Sequence, residues 1–167
     1  MTGAGTWSLD EGDYQRITQH LTSLLRESDA RSALLVDRAG QLLAHSGEEL
    51  GFDHAAFASL TAADFSANDQ LARMIGEDEF ASLFHQGEKE SMYLADIARR
   101  IILVVLFDKR TTVGMVRLRV KQTVLELTQL FEAMFRRTAS PDRGRPAPEA
   151  AGPLDGADDE IDRLFED

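Results

Sequence analysis

Between Ser91 and Phe135 the spacing of apolar residues changes in a way that names three elements. Ser91–Ile97 (Ser-Met-Tyr-Leu-Ala-Asp-Ile) and Ile101–Phe107 (Ile-Ile-Leu-Val-Val-Leu-Phe) read as strands joined by a tight turn at Ala98-Arg99-Arg100. The second run is apolar at every position, so both of its faces need cover. A long helix follows from near Thr112, with Thr111 or Thr112 as cap, because Val113, Val116, Val120, Val124, Leu127, Phe131 and Met134 recur by threes and fours. Leu118, Leu125 and Phe135 form a second row off that stripe, as expected of a helix that touches more than one surface. One helix covers one face of a sheet. The pattern therefore predicts that the other layer comes from a second copy of the chain or from a partner protein.

The earlier part of the chain completes the order. A first helix is expected from Ser8, with Glu11 closing a Ser-x-x-Glu capping box and Tyr14, Ile17, Leu21, Leu24 and Leu25 forming its apolar stripe. Ser32–Asp37 and Gln41–His45 flank the turn Arg38-Ala39-Gly40, which reads as a hairpin. Asp53 then caps a second helix that runs to Ile75 and stops at Gly76, and an irregular strand is expected over Leu83–Glu88. The fold class that results is α/β: an α-β-β-α-β-β-β-α domain with an antiparallel five-stranded sheet.

The second helix carries an unusual face. Ser59, Ala62, Ala63, Ser66, Ala67 and Gln70 fall on one side at helical spacing and are nearly all small, while Phe57, Leu60, Leu71 and Ile75 place bulk elsewhere. Such a strip permits close approach, either of another helix or of the chain's own sheet, and periodicity does not choose between them. Beyond residue 137 the composition turns to Pro, Gly, Ala and Asp, so 1–137 reads as the domain and 138–157 as a flexible linker. In 158–167 a pattern returns: Ile161, Leu164 and Phe165 follow Asp158, Asp159 and Glu160, the form of a short amphipathic docking helix. The bland alternative is a frayed acidic tail.

Composition narrows the chemistry. With 43% apolar and 28% charged residues the chain is globular. The absence of an apolar membrane run or leader places it in the cytoplasm. A net charge of -11 argues against nucleic acid, because phosphate contact needs clustered Lys and Arg. With no cysteine there are no disulfides, thiolate metal sites or cysteine nucleophiles. No phosphate-cradling Gly-x-x-x-x-Gly-Lys-Ser/Thr run is present, and Gly3 and Gly5 precede every strand rather than following one. His20, His45, His54 and His85 are dispersed. No catalytic residue, metal ligand or cofactor is therefore expected. Arg99, Arg100 and Arg110 lie in loops, where an arginine reaches a phosphate or is simply solvated.

Several segments carry a resemblance to a known family. Leu35-Val36-Asp37-Arg38-Ala39-Gly40-Gln41-Leu42, Ser59-Leu60-Thr61-Ala62, Met74-Ile75-Gly76-Glu77-Asp78-Glu79-Phe80 and Phe84-His85-Gln86-Gly87 are among them. So are Leu103 through Thr112, Val116-Arg117-Leu118-Arg119 and the acidic Ile-Asp-Arg-Leu-Phe ending. Together they resemble the MglB-like proteins, bacterial members of the roadblock (dynein light-chain) superfamily. The resemblance implies a homodimer with joined sheets and second helices side by side. It further implies a GTPase-activating role toward an MglA-like small Ras-like GTPase in its GTP-bound state, in cell polarity or motility, with two copies of the chain per GTPase and a cell pole as its place of action.

In this family the activator inserts no arginine in trans. It reorders the GTPase's own switch loops, and its C-terminal peptide docks away from the nucleotide and is linked with nucleotide exchange. The expected GTPase-binding residues are Ser59, Ala62, Ala63, Ser66, Ala67 and Gln70 on the helix and Ile161, Leu164 and Phe165 in the tail. Ser66 and Gln70 stand where alanine and glycine are familiar, which makes that contact wider or more polar. Two other readings compete: a non-catalytic roadblock scaffold, and a small-ligand sensor or enzyme.

Overall fold

The computed structural model describes residues 9–139, in which eight elements follow the predicted order. They are α1 (Glu11–Ser28), β1 (Ser32–Asp37), β2 (Leu42–Gly47), α2 (His54–Met74), β3 (Ser82–Gln86), β4 (Ser91–Ile97), β5 (Ile101–Phe107) and α3 (Val113–Ala139). The five strands form one antiparallel sheet in the order β2-β1-β5-β4-β3. Thr138 and Ala139, the first two residues of the expected linker, are the last two of α3, because the helix continues past the last apolar residue of its stripe; the rest of the linker, the predicted docking helix and Ser8 lie outside the described residues. The first helix starts later than the capping box predicts. Its cap is Asp10, whose Oδ1 accepts the Asp13 N–H at 2.7 Å, since a carboxylate satisfies the free amides and complements the helix dipole at once. Asp53 caps α2 in the same way, accepting from the Ala56 N–H at 3.0 Å, and Gly76 follows its end at φ +91°.

The expectation that one face of β5 lacks cover from this chain is wrong. Alternate β5 residues Ile101, Leu103, Val105 and Phe107 pack with α1 and α3 in one buried cluster. Ile102 and Val104 point the other way, into a second cluster with Leu34, Val36, Leu94 and the α2 residues Ala58 and Phe65. The second cover is α2. It can serve as one because small residues on its inner side let it lie close to the sheet around Phe65, which is 1% exposed, with the half-buried Phe57 packed against the same cluster.

Two turns fix how α2 and the sheet meet. Gly40 in the β1–β2 turn has φ +89°, and a Cβ there would stand 3.0 Å from the Ser59 Cα, so glycine is required by both conformation and proximity. In the β4–β5 turn Ala98 and Arg99 both adopt left-handed conformations, and Asp96 Oδ2 steadies the turn by accepting the Arg99 N–H at 2.9 Å.

Candidate functional site

The outer side of α2 and the free edge of β3 form the most unusual surface of the domain. The sheet-facing side of α2 holds Ala58, Thr61, Ala62, Phe65 and Ala72. Of the expected contact positions, Ala62 is therefore turned inward, whereas Ser59, Ala63, Ser66, Ala67 and Gln70 are exposed. The strip as a whole does not lie against the sheet. That resolves the choice left open by periodicity: the sheet-facing strip is a neighbouring one, and the small face looks outward.

A second stripe runs beside it. Leu60, Leu71, Met74 and Ile75 are 70%, 54%, 82% and 72% exposed. Leu60, Leu71 and Ile75 share the flank of Asp64 at helical spacing, and Asp64 Oδ2 stands 2.8 Å from His85 Nε2 on β3. The bulky stripe is therefore on the β3 side of the helix, and the small strip of Ser59, Ala63, Ser66 and Gln70 lies on the outward side, with Ala67 and Met74 between. Apart from Asp64, and Arg73 one turn beyond Gln70, neither stripe carries charge. A contiguous, nearly uncharged, partly apolar face of this kind is the mark of an interaction surface.

β3 completes the surface. Among the described residues it pairs only with β4, which leaves its outer edge without a neighbouring strand there, and its side chains Phe84, His85 and Gln86 are exposed. No β3 residue joins the cluster beneath α1 and α3. An edge of this kind is a template for another strand. Spacing along the chain does not by itself mark the large stripe as a site. Its signal was present, since Leu60, Leu71 and Ile75 repeat at helical spacing off the face that Phe65 marks, but only the contact of Asp64 with β3 shows which way they point.

Ionic contacts hold α2 and the loop arginines in place. Arg38 donates from Nη1 to Asp69 Oδ2 at 2.9 Å and from Nη2 to Asp96, and its guanidinium lies 4.6 Å from the centre of the Phe65 ring. This group pins the C-terminal half of α2 to the two turns beneath it. At the opposite end of the sheet Arg110 donates to Glu48 Oε1 at 2.7 Å and to Asp108 Oδ1 at 3.0 Å. The hydrogen bonds that Arg110 donates to Asp108 and then to Glu48 raise its pKa, and Arg31, followed by Arg110, holds the Glu48 carboxyl below the usual carboxylate range. Arg99 stands 3.4 Å from Glu79, and the Arg100 guanidinium lies 4.4 Å from the centre of the Phe135 ring. Each of the three loop arginines thus has a partner within the domain.

Among the described residues no group of three or more His, Cys, Asp or Glu is arranged to hold a metal, and no helix is long and apolar enough to cross a membrane. The Roadblock/LC7 domain profile matches residues 16–107. Among solved structures the chain is similar to Myxococcus xanthus MglB, at 40% identity and TM-score 0.70 over 74% of this chain and 99% of that one. It is also similar to the gliding protein MglB of Thermus thermophilus, at 32% identity and TM-score 0.72 over 77% and 97%. A third similar structure is described as MglB with a tetrameric arrangement, at 32% identity and TM-score 0.73 over the same shares, 77% and 97%.

Proposed function

The chain belongs to the Roadblock/LC7 domain family, and within it stands with the MglB proteins; from that premise we propose that it is a GTPase-activating protein for an MglA-like small Ras-like GTPase. The observation that carries the reading is the outward strip of small residues on α2, in a chain 40% identical to an MglB over most of its length. Its two stripes take separate roles. The bulky stripe and the β3 edge meet a second copy of the chain: antiparallel pairing of two β3 edges extends the sheet, and the α2 helices come side by side along Leu60, Leu71 and Ile75. The homodimer then offers two small strips together, and one GTP-loaded GTPase lies across them.

This chain supplies no catalytic group. It binds the switch segments and holds the GTPase's own catalytic residues in line with the γ-phosphate, so that the gain comes from orientation. The states of the loop arginines support this, since Arg110 is engaged by Glu48 and Asp108. An arginine finger is worth about 10³ to 10⁵ in rate, and ordering of existing groups must replace that stabilisation. The tail, through Ile161, Leu164 and Phe165, docks on the GTPase at a second place and regulates exchange.

The test is phosphate release from a GTP-loaded MglA-like GTPase with and without the chain. Acceleration supports the reading, binding without acceleration makes the protein a scaffold, and failure to bind overturns both.

A further inference from the structure

One apolar groove is absorbed by neither stripe of α2. It lies on the opposite side of the sheet, between α3 and the β3–β4 end, with a volume of about 390 Å³ and a floor of Ala81, Ser82, Tyr93 and Ala95 against Val124 and Leu125 of α3. Leu125 is 63% exposed at its lip, an apolar side chain without cover in this domain. The rim is basic. Lys121 lines the groove, Arg117 stands one turn before it on the same flank, and neither is ion-paired among the described residues. The acid that does line the groove, Asp96, is already held by Arg38 and by the Arg99 N–H.

We propose that this groove is the resting place of the chain's own segment 158–165, which is thereby masked until a competing surface draws it out. The segment has the complementary chemistry: Asp158, Asp159 and Glu160 to meet Arg117 and Lys121, followed by Ile161, Leu164 and Phe165 at helical spacing for the apolar floor. The geometry of the tether agrees. Val124 lies about 22 Å back along α3 from Ala139 at about 1.5 Å per residue. The stretch 140–157, taken as a coil, has an r.m.s. span of about 20 to 25 Å. A segment tethered at that distance is present at an effective concentration on the order of millimolar, so a weak, charge-assisted contact is enough to hold it. The device concerns the domain's own tail and stands whether or not the GTPase reading holds. If that reading holds too, the groove and the GTPase compete for the same three apolar side chains.

Because the chain contains no cysteine, a single nitroxide can be placed by Glu166→Cys in the full-length protein. Line broadening of backbone amides then reports where the tail rests. The expected result is strong broadening at Ala81, Ser82, Val124 and Leu125, lost in the Lys121→Glu variant and lost when salt is raised until the Debye length is about 3 Å. Lys121 is exposed, so its replacement leaves the fold intact. Broadening absent from these amides, or centred on α2, overturns the proposal. A mixture of isotope-silent nitroxide chains with labelled, nitroxide-free chains separates the occupants. Broadening in that mixture assigns the groove to the tail of another copy and likewise overturns the proposal as stated.

Discussion

Replacing Leu60 by Ala separates dimer formation from folding. Leu60 is 70% exposed in the single chain, so its truncation removes little that the domain itself uses, and the unfolding free energy should change by less than about 0.5 kcal/mol. In the proposed homodimer the same side chain is covered by the second α2. Leu→Ala deletes three carbons at about 0.8 kcal/mol each, and scaling by the exposed fraction leaves about 1.7 kcal/mol per copy. A two-fold axis makes every residue of the interface count twice, which brings the loss to about 3.4 kcal/mol. At about 1.4 kcal/mol per factor of ten, the dimer dissociation constant rises by about two orders of magnitude. Sedimentation velocity over a dilution series measures that constant, and a denaturant titration with each protein held monomeric measures the fold. A dissociation constant within about threefold of the parent, with the fold intact, would refute the assignment of this stripe to the second copy.

Other outcomes follow from the same geometry. Ser66→Arg places bulk and charge on the small strip and should abolish binding of the GTP-loaded GTPase in a pull-down while sedimentation still shows a dimer; normal binding would move the contact elsewhere. Changing Arg99, Arg100 and Arg110 singly to Ala should leave stimulated phosphate release within about threefold, and a loss near 10³ with binding retained, in any one of them, would identify an arginine finger. Arg38→Ala strands Asp69 and Asp96, whose side chains are only 17% and 11% exposed, and should cost about 3 kcal/mol of stability by denaturant unfolding, toward the low end for a buried pair because Arg38 itself reaches solvent. A loss below about 1 kcal/mol would mean that water replaces the guanidinium at no cost.

The arrangement of elements could be read from the chain because each boundary has a local cause. Asp53 and Gly76 bracket α2 through cap chemistry. The apolar run Ile101–Phe107 announces a central strand, and Gly40 marks a turn that only positive φ allows. Where local signals compete, spacing along the chain does not fix the boundary. Ser8-x-x-Glu11 is a valid capping box, yet Asp10 lies closer to the helix and takes the cap, and β3 begins one residue before and ends two residues before the irregular strand expected over Leu83–Glu88.

The order of helices and strands, the two-sided burial of β5 and the existence of a small-residue strip on α2 were determined by the sequence alone, since each depends on the spacing of side chains along one element. Tertiary structure decided what those spacings could not: that α2 itself covers the second face of the sheet, that Ala62 turns inward while Ser59, Ala63, Ser66 and Gln70 turn out, and that Leu60, Leu71 and Ile75 look toward the β3 edge. Periodicity says which residues share a side of a helix. Which side meets the sheet is set by contacts between residues far apart in the chain, here Phe65 in the second core cluster, Arg38 with Asp69, and His85 with Asp64. Helical spacing is a local property, whereas the rotation of α2 about its own axis is chosen by the lowest free energy of the whole packed domain.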